Sequence, residues 1–286
     1  MISDITLGQF FPGYSPLHKL DPRTKIILTV FAIITVFWAN NPTAFVFLTL
    51  ITLLLIFMSR ISLSVIIKGI QPILFILLFT SVLNIFMTEG VGEPLVEVWI
   101  IRIYTEGIVR AIFMALRVTL LIVLTSMLLT YTTSPIALTD GLESLMSPLK
   151  KIGVPVHTFA MMMSIALRFI PTLIEETEKI MNAQKSRGAD FTSGSLIKRA
   201  RSLVPILIPL IVSSFKRAEE LATAMECRCY RGDKNRTKLV KLEYRARDGV
   251  FILAAALTLT LIALVSTLPY NLDLSGTVFD ILFYKM

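Results

Sequence analysis

Histidine occurs only twice in the 286 residues, at His18 and His157, and cysteine only twice, at Cys227 and Cys229. Two distant histidines give no metal-ligand spacing, and a lone C-x-C gives no disulfide framework, so neither a metal centre nor a stapled secreted fold is expected. The two thiols are expected to be free in a reducing compartment. Charge is also scarce, at 17% of residues against about 25% in soluble domains. No G-x-x-x-x-G-K-[ST] loop occurs, so nothing in the chain would cradle and hydrolyse ATP. No H-E-x-x-H helix and no nucleophile elbow occur either, which argues against a membrane enzyme. The chain shows no internal repeat, and its apolar runs hold no Asp or Glu. A secondary carrier moving a small solute through its own helices, the alternative reading, usually shows paired half-repeats and buried acidic groups.

What the chain has is apolar residues, 55% of the total, beyond the ~45–50% of soluble domains. An all-α integral membrane protein follows. The start, MISDITLGQFF, has no basic region followed by an apolar stretch and a cleavage site, so insertion is expected to use internal spans. Five runs approach the ~20 residues that cross a bilayer: Thr24 to Ala39, Thr43 to Met58, Ile70 to Met87, Ala111 to Tyr131, and Val250 to Leu268. Asn40, Asn41 and Pro42 make a tight hairpin between the first two. Gly69, Gly90, Gly92, Gly107 and Gly153 read as turn or helix-end residues. Arg117, inside the fourth run, is either functional or a cation that snorkels toward the outer face, and Asn84 reads as helix-to-helix glue.

Basic residues in short loops stay cytoplasmic. The N-terminal segment holds Lys19, Arg23 and Lys25, and Arg60 and Lys68 follow the second span. The third-to-fourth connection carries Glu89, Glu93, Glu97 and Glu106, and reads as external. The N-terminus is thus expected inside and the C-terminus outside. Three regions follow: residues 1–132 with four spans, a cytoplasmic region 133–247, and residues 248–286 with the final span and an external tail. All the net charge, +8, lies in residues 133–247, with 19 Lys plus Arg against 11 Asp plus Glu. Attraction to anionic headgroups accounts for part of it. No stacking aromatics or recognition helix accompany it, so nucleic acid is not expected as a partner.

The basic region reads as amphipathic helix broken by prolines. From His157, apolar residues Leu167, Ile170, Ile174 and Met181 share a stripe, with Pro171 expected to kink the helix. The apolar stretch Leu203 to Val212, interrupted by Pro205 and Pro209, is too short to span and reads as packed or interfacial. From Phe215, Ala218, Ala222, Met225 and Cys229 continue at helical steps. Met161, Met162 and Met163 offer either an adaptable surface or core filling. Arg187 before Gly188 and Arg231 before Gly232 suit helix C-termini, where a left-handed glycine closes the helix and a cation meets the dipole's negative end. The plain reading is a pair of caps. The other is two guanidiniums presented at helix tips, whose planar forks suit a carboxylate on another protein.

Three stretches together carry a resemblance: SPLHKLDPRTKIILTV (Ser15 to Val30), AQKSRGADF (Ala183 to Phe191) and SSFKRAEELATAMECRCYRG (Ser213 to Gly232). In this order they resemble the EcfT or CbiQ family, the transmembrane scaffolds of energy-coupling factor (ECF) transporters. The resemblance implies long cytoplasmic coupling helices, each ending in an Ala-Arg-Gly-like triplet whose Arg enters a groove of an ATPase. The matching triplets are Ser186-Arg187-Gly188 and Cys227-Arg228-Cys229, with Cys229 where the common triplet has Gly, and Arg231 as a competing second anchor. It also implies two ABC-type ATPase partners (EcfA- and EcfA′-like), a membrane-embedded substrate-binding S-component for vitamins or related micronutrients, and the lipid bilayer. S-component contact would fall on Met161, Met162, Met163, Leu203, Ile206, Leu207 and Leu210. No cofactor is expected on this chain; ATP and Mg²⁺ would belong to the ATPases.

Overall fold

A computed structural model describes residues 10–88, 96–98, 101–189, 191, 195–230, 232 and 242–267. The regular structure of the described residues is helical apart from an antiparallel pair of three-residue strands, β1 (Val96–Val98) and β2 (Ile101–Ile103). It forms two compact units. One comprises Phe10–Ser134 and the chain from Leu242; the other is Pro135–Lys241, inserted between them in sequence.

In the first unit, α1 (Pro22–Trp38), α2 (Pro42–Ser59), α3 (Leu63–Met87), α4 (Thr105–Thr125) and α8 (Ala246–Thr267) match the five apolar runs, mostly with a few extra residues at either end. α1 starts as its sequence dictates: the Asp21 carboxylate accepts from the Arg23 amide at 2.9 Å, and Pro22 occupies the first helical position, where its missing N–H costs nothing. α1 packs on α8 and α4, α2 on the same two helices, and α3 on α4. Two apolar cores result. One gathers Leu17, Leu20, Leu28, Ile66, Val123 and Tyr131; the other gathers Val36, Phe45, Leu48, Leu120, Leu124 and Ile262. Large apolar side chains otherwise face outward, such as Phe57 at 87% and Phe75 at 77% exposure. That pattern is costly in water and ordinary where hydrocarbon is the solvent.

Among the described residues, five helices are long and apolar enough to cross a membrane: α2, α3, α4 with its extension to Tyr131, α8, and α6 (Val156–Ser186). The set differs from the sequence expectation at two places. α1, with 17 residues, rises about 25 Å, short of the ~30 Å hydrocarbon core. α6, expected wholly in the cytoplasmic region, opens on a long apolar stretch from Val156 that shares one helix with a charged second half.

Three single residues bear on how the helices pack. Gly69 is no turn: it lies inside α3, and a Cβ there would sit 2.2 Å from the Tyr131 hydroxyl, so its role is close helix approach. The Asn84 amide donates to the Thr80 carbonyl of its own helix at 2.9 Å, a bond within α3 where a contact between helices was expected. Arg117 donates to the Ala39 carbonyl at 2.7 Å and lies over the Phe45 ring, which makes it a staple for the α1–α2 hairpin. Gly107 and Gly153 stand at helix ends as expected, whereas Gly90, Gly92, Glu89 and Glu93 lie outside the described residues.

The inserted unit contains α5 (Pro135–Leu145), a 3₁₀ turn (Ser147–Ile152), α6 and α7 (Leu196–Cys227). The prolines do not break these helices. Pro171 lies within α6, and Pro205 with Pro209 within α7, which runs unbroken for 32 residues. Pro205 and Pro209 are four apart on one exposed face, so the carbonyls they leave unpaired lie where solvent or headgroups reach them.

Candidate functional site

α6 ends in a complete Schellman closure. The Gly188 amide donates to the Lys185 carbonyl at 2.9 Å, and the Ala189 amide reaches back to Gln184 at 3.0 Å. Gly188 takes the left-handed conformation this requires, at φ 86°. Arg187 is the capping residue, at φ −88° and ψ 8°.

The same closure ends α7. The Cys229 amide donates to Glu226 at 2.8 Å and the Tyr230 amide to Met225 at 3.0 Å. Arg228 is the cap, at φ −88° and ψ 15°. Cys229 stands where Gly188 stands in α6, and it adopts the left-handed conformation at φ 56° despite its Cβ. Replacing the usual glycine therefore leaves the geometry of the helix end unchanged and adds backbone strain of about 1–2 kcal/mol.

Between the two helices lies a polar clasp. Glu176 of α6 accepts from the Ser213 hydroxyl and, on its other oxygen, from Arg217 Nη2 at 2.7 Å. Ser213 and Arg217 are four residues apart and share a face of α7. Arg187 lies eleven residues beyond Glu176, and Arg228 eleven beyond Arg217. Each helix thus extends about 16 Å from the clasp to its arginine. A second pin fixes α6 at its start, where His157 Nδ1 donates to the Glu143 carboxylate of α5 at 2.8 Å.

Ser186, Arg187, Gly188, Cys227, Arg228 and Cys229 are all exposed. The Ser186 hydroxyl donates to the Asn182 carbonyl at 3.1 Å, within its own helix. Neither Arg187 nor Arg228 has an ion-pair partner among the described residues. Cys227 and Cys229 are free thiols. Arg231 lies outside the described residues, although Gly232 after it has a positive φ of 78°. Met162, Met163, Leu203 and Leu207 are exposed, Met161 and Leu210 half-buried, and Ile206 buried at 4% exposure. Among the described residues no group of three or more His, Cys, Asp or Glu is placed to hold a metal ion.

Sequence reasoning missed Glu176, the Glu143–His157 pin and α5. PIALTDGLESL contains Asp140 and Gly141, weak helix formers, and its helix is held by packing on α6. Glu176 sits in the acidic run Glu175 to Glu178, and only tertiary packing distinguishes it from its neighbours.

Residues 13–239 match the family model CbiQ, described as cobalt transport protein. Among similar proteins, the energy-coupling factor transporter transmembrane protein EcfT of Clostridium kluyveri is 53% identical over 266 residues, covering 93% of this chain and 98% of the relative. The proteins of that name from Ruminiclostridium cellulolyticum and Bacillus subtilis are 52% and 47% identical, over 94% and 90% of this chain and 99% and 98% of their own lengths. With the family model matching most of its length and close relatives aligned nearly end to end, the chain belongs to the CbiQ family of membrane transport proteins.

Proposed function

We propose that this chain is the transmembrane scaffold of an ECF-type ABC importer, coupling ATP binding and hydrolysis in two cytoplasmic ATPases to uptake through a membrane-embedded S-component. The names of the relatives support an ECF membrane subunit. The observation that carries the finer reading is the duplicated helix end: two exposed arginines, each capping a long helix in the same closure, each the same distance beyond one clasp. One such cap would be ordinary; two matched ones suit a pair of matched sockets. The shared cap position also supports Arg228 over Arg231 as the second anchor.

In this reading Arg187 and Arg228 each enter a groove of one ATPase, with the triplets Ser186-Arg187-Gly188 and Cys227-Arg228-Cys229 at the contact. Closing and opening of the ATPase pair moves the two ends, and α6 and α7, joined at Glu176, carry the motion toward the S-component. The exposed Met162, Met163, Leu203 and Leu207 suit that apolar contact, whereas buried Ile206 supports its neighbours from within. The N-terminus and the coupling part of the inserted unit, the charged second half of α6 with α7, are cytoplasmic, and the C-terminus is external. ATP and Mg²⁺ belong to the partners, and the substrate, a vitamin or related micronutrient, to the S-component.

Losing one partner of a desolvated charged contact costs about 2–5 kcal/mol, and reversing its charge costs more. The double variant Arg187→Glu/Arg228→Glu is therefore expected to reach the membrane at the normal level, lose both ATPases on purification, and abolish uptake across a panel of radiolabelled vitamins and cobalt(II). Retention of both ATPases together with normal uptake would overturn the assignment.

A further inference from the structure

The stretch Ser15 to Lys25, which the docking mechanism does not use, holds a buried polar cluster, and its partners lie at two places far away in sequence. Lys25 is 2% exposed, and its ammonium donates to the Thr132 carbonyl at 2.7 Å and to the His18 carbonyl at 3.3 Å. The Asp21 amide donates at 2.9 Å to Oδ1 of Asp248, itself 2% exposed, whose Oδ2 accepts from the Arg245 amide at 2.8 Å. Arg23 donates to the Leu242 carbonyl at 3.4 Å and lies over the Tyr244 ring at 5.1 Å. All these groups belong to the first compact unit.

Their positions along the chain give the cluster its meaning. The inserted unit leaves the first unit after Ser134 and rejoins it at Leu242. Thr132 is two residues before the departure; Leu242, Tyr244, Arg245 and Asp248 follow the return. One helical turn, Asp21 to Lys25, therefore holds both roots of the insertion. The departing root is also unusual locally: Ser126–Tyr131 forms a π-helical turn, and the Thr132 and Thr133 hydroxyls both bond the Leu128 carbonyl. Buried charges are retained where they are paired and hydrogen-bonded, and removing one partner leaves the others orphaned.

We propose that the first turn of α1, through Asp21, Arg23 and Lys25 with Asp248, is the fixed anchor against which the inserted unit works, so that motion of α6 and α7 acts on the membrane helices and is not absorbed as slack at the two roots. In this proposal they are positioning residues, acting through the two roots and not at the docking arginines. The inference rests on the scaffold reading above.

The test uses the whole complex, purified with its ATPases and S-component, reconstituted in vesicles, and assayed for ATP hydrolysis and for uptake of radiolabelled vitamins and cobalt(II). Lys25→Met removes the buried charge at similar volume; Arg23→Gln, at a half-buried position, leaves the Asp21 cap in place and serves if the first variant does not accumulate. Both are expected to retain the ATPases and hydrolyse ATP, while label carried per ATP hydrolysed falls about tenfold or more, as the loss of a charged hydrogen bond implies. A ratio unchanged from wild type in the variants overturns the proposal. So does failure of both variants to assemble, which would make the turn structural only. A wild-type chain that brings no ATPases would instead sink the scaffold reading, and that outcome is read before any variant is made.

Discussion

Arg187 and Arg228 are equivalent in backbone geometry: each caps its helix at φ −88°, and each is followed by a residue in the left-handed region, glycine in one case and cysteine in the other. A pair of arginines 41 positions apart in sequence is thereby presented in one local frame. The two ends differ in the residue that takes the left-handed conformation, Gly188 at φ 86° in one and Cys229 at φ 56° in the other.

That asymmetry yields a stability prediction. Cys229→Gly removes the Cβ from a left-handed residue and is expected to strengthen the end of α7 by about 1 kcal/mol. Hydrogen exchange at the Cys229 and Tyr230 amides should slow. Cys229→Val, with a branched side chain at the same φ, should speed it, and equal exchange in the two variants would contradict the observed cap.

The clasp gives a second. Glu176→Gln keeps the shape but loses the charge facing Arg217, and Glu176→Ala loses both hydrogen bonds. The spread of distances between spin labels at Ala189 and Tyr230 should widen from wild type through Gln to Ala. ATP-driven uptake is expected to fall several-fold in the Ala variant, because independent arms transmit less of a shared motion. A distribution as narrow in the Ala variant as in wild type would remove the clasp from the mechanism.

Gly69 and Tyr131 give a third, read as a double-mutant cycle. Gly69→Ala places a Cβ 2.2 Å from the Tyr131 hydroxyl oxygen but 3.5 Å from the ring carbon that bears it. Tyr131 is 2% exposed, so the ring has little room to move. The single variant is expected to cost about 1–3 kcal/mol, the usual range for overpacking. In a Tyr131→Phe background most of that cost should vanish, measured as the shift in thermal unfolding in detergent.

His18 supplies a pH dependence. Its Nε2 faces the Phe11 carbonyl at 2.9 Å, which only accepts, so Nε2 carries the hydrogen and Nδ1 accepts from Ser15 at 2.6 Å. Burial, and to a lesser degree the nearby Lys25 charge, hold its pKa below the ordinary histidine value, partly offset by the bond to Phe11. A lowered folded-state pKa means that the unfolded segment binds the proton more readily. The contribution to stability is therefore complete above about pH 6.5 and is lost as pH falls through the lowered value. Amide exchange across Ser15 to His18 should accelerate on acidification, and His18→Gln should flatten that dependence.

Much of the site was legible in the chain. The apolar runs mark α1, α2, α3, α4 and α8 because a bilayer demands long uninterrupted helices. The Asp21–Pro22 start and the Arg187–Gly188 end follow from local hydrogen-bond needs that neighbouring residues satisfy. The C-x-C was rightly expected to be free thiols, but the left-handed Cys229 was not foreseeable, since a residue with a Cβ enters that region only when the whole helix end requires it.

Sequence alone determined that this is a membrane chain, where most of its helices lie, and that its charge and paired arginines concentrate between the fourth and last apolar runs. These are properties of period, composition and nearest neighbours. Tertiary structure decided which Glu of an acidic run joins α6 to α7, why Gly69 has no side chain, and that one turn of α1 holds carbonyls more than a hundred residues away. Such pairings depend on which helix faces meet in space, and the desolvation that makes them strong arises only once the faces have closed.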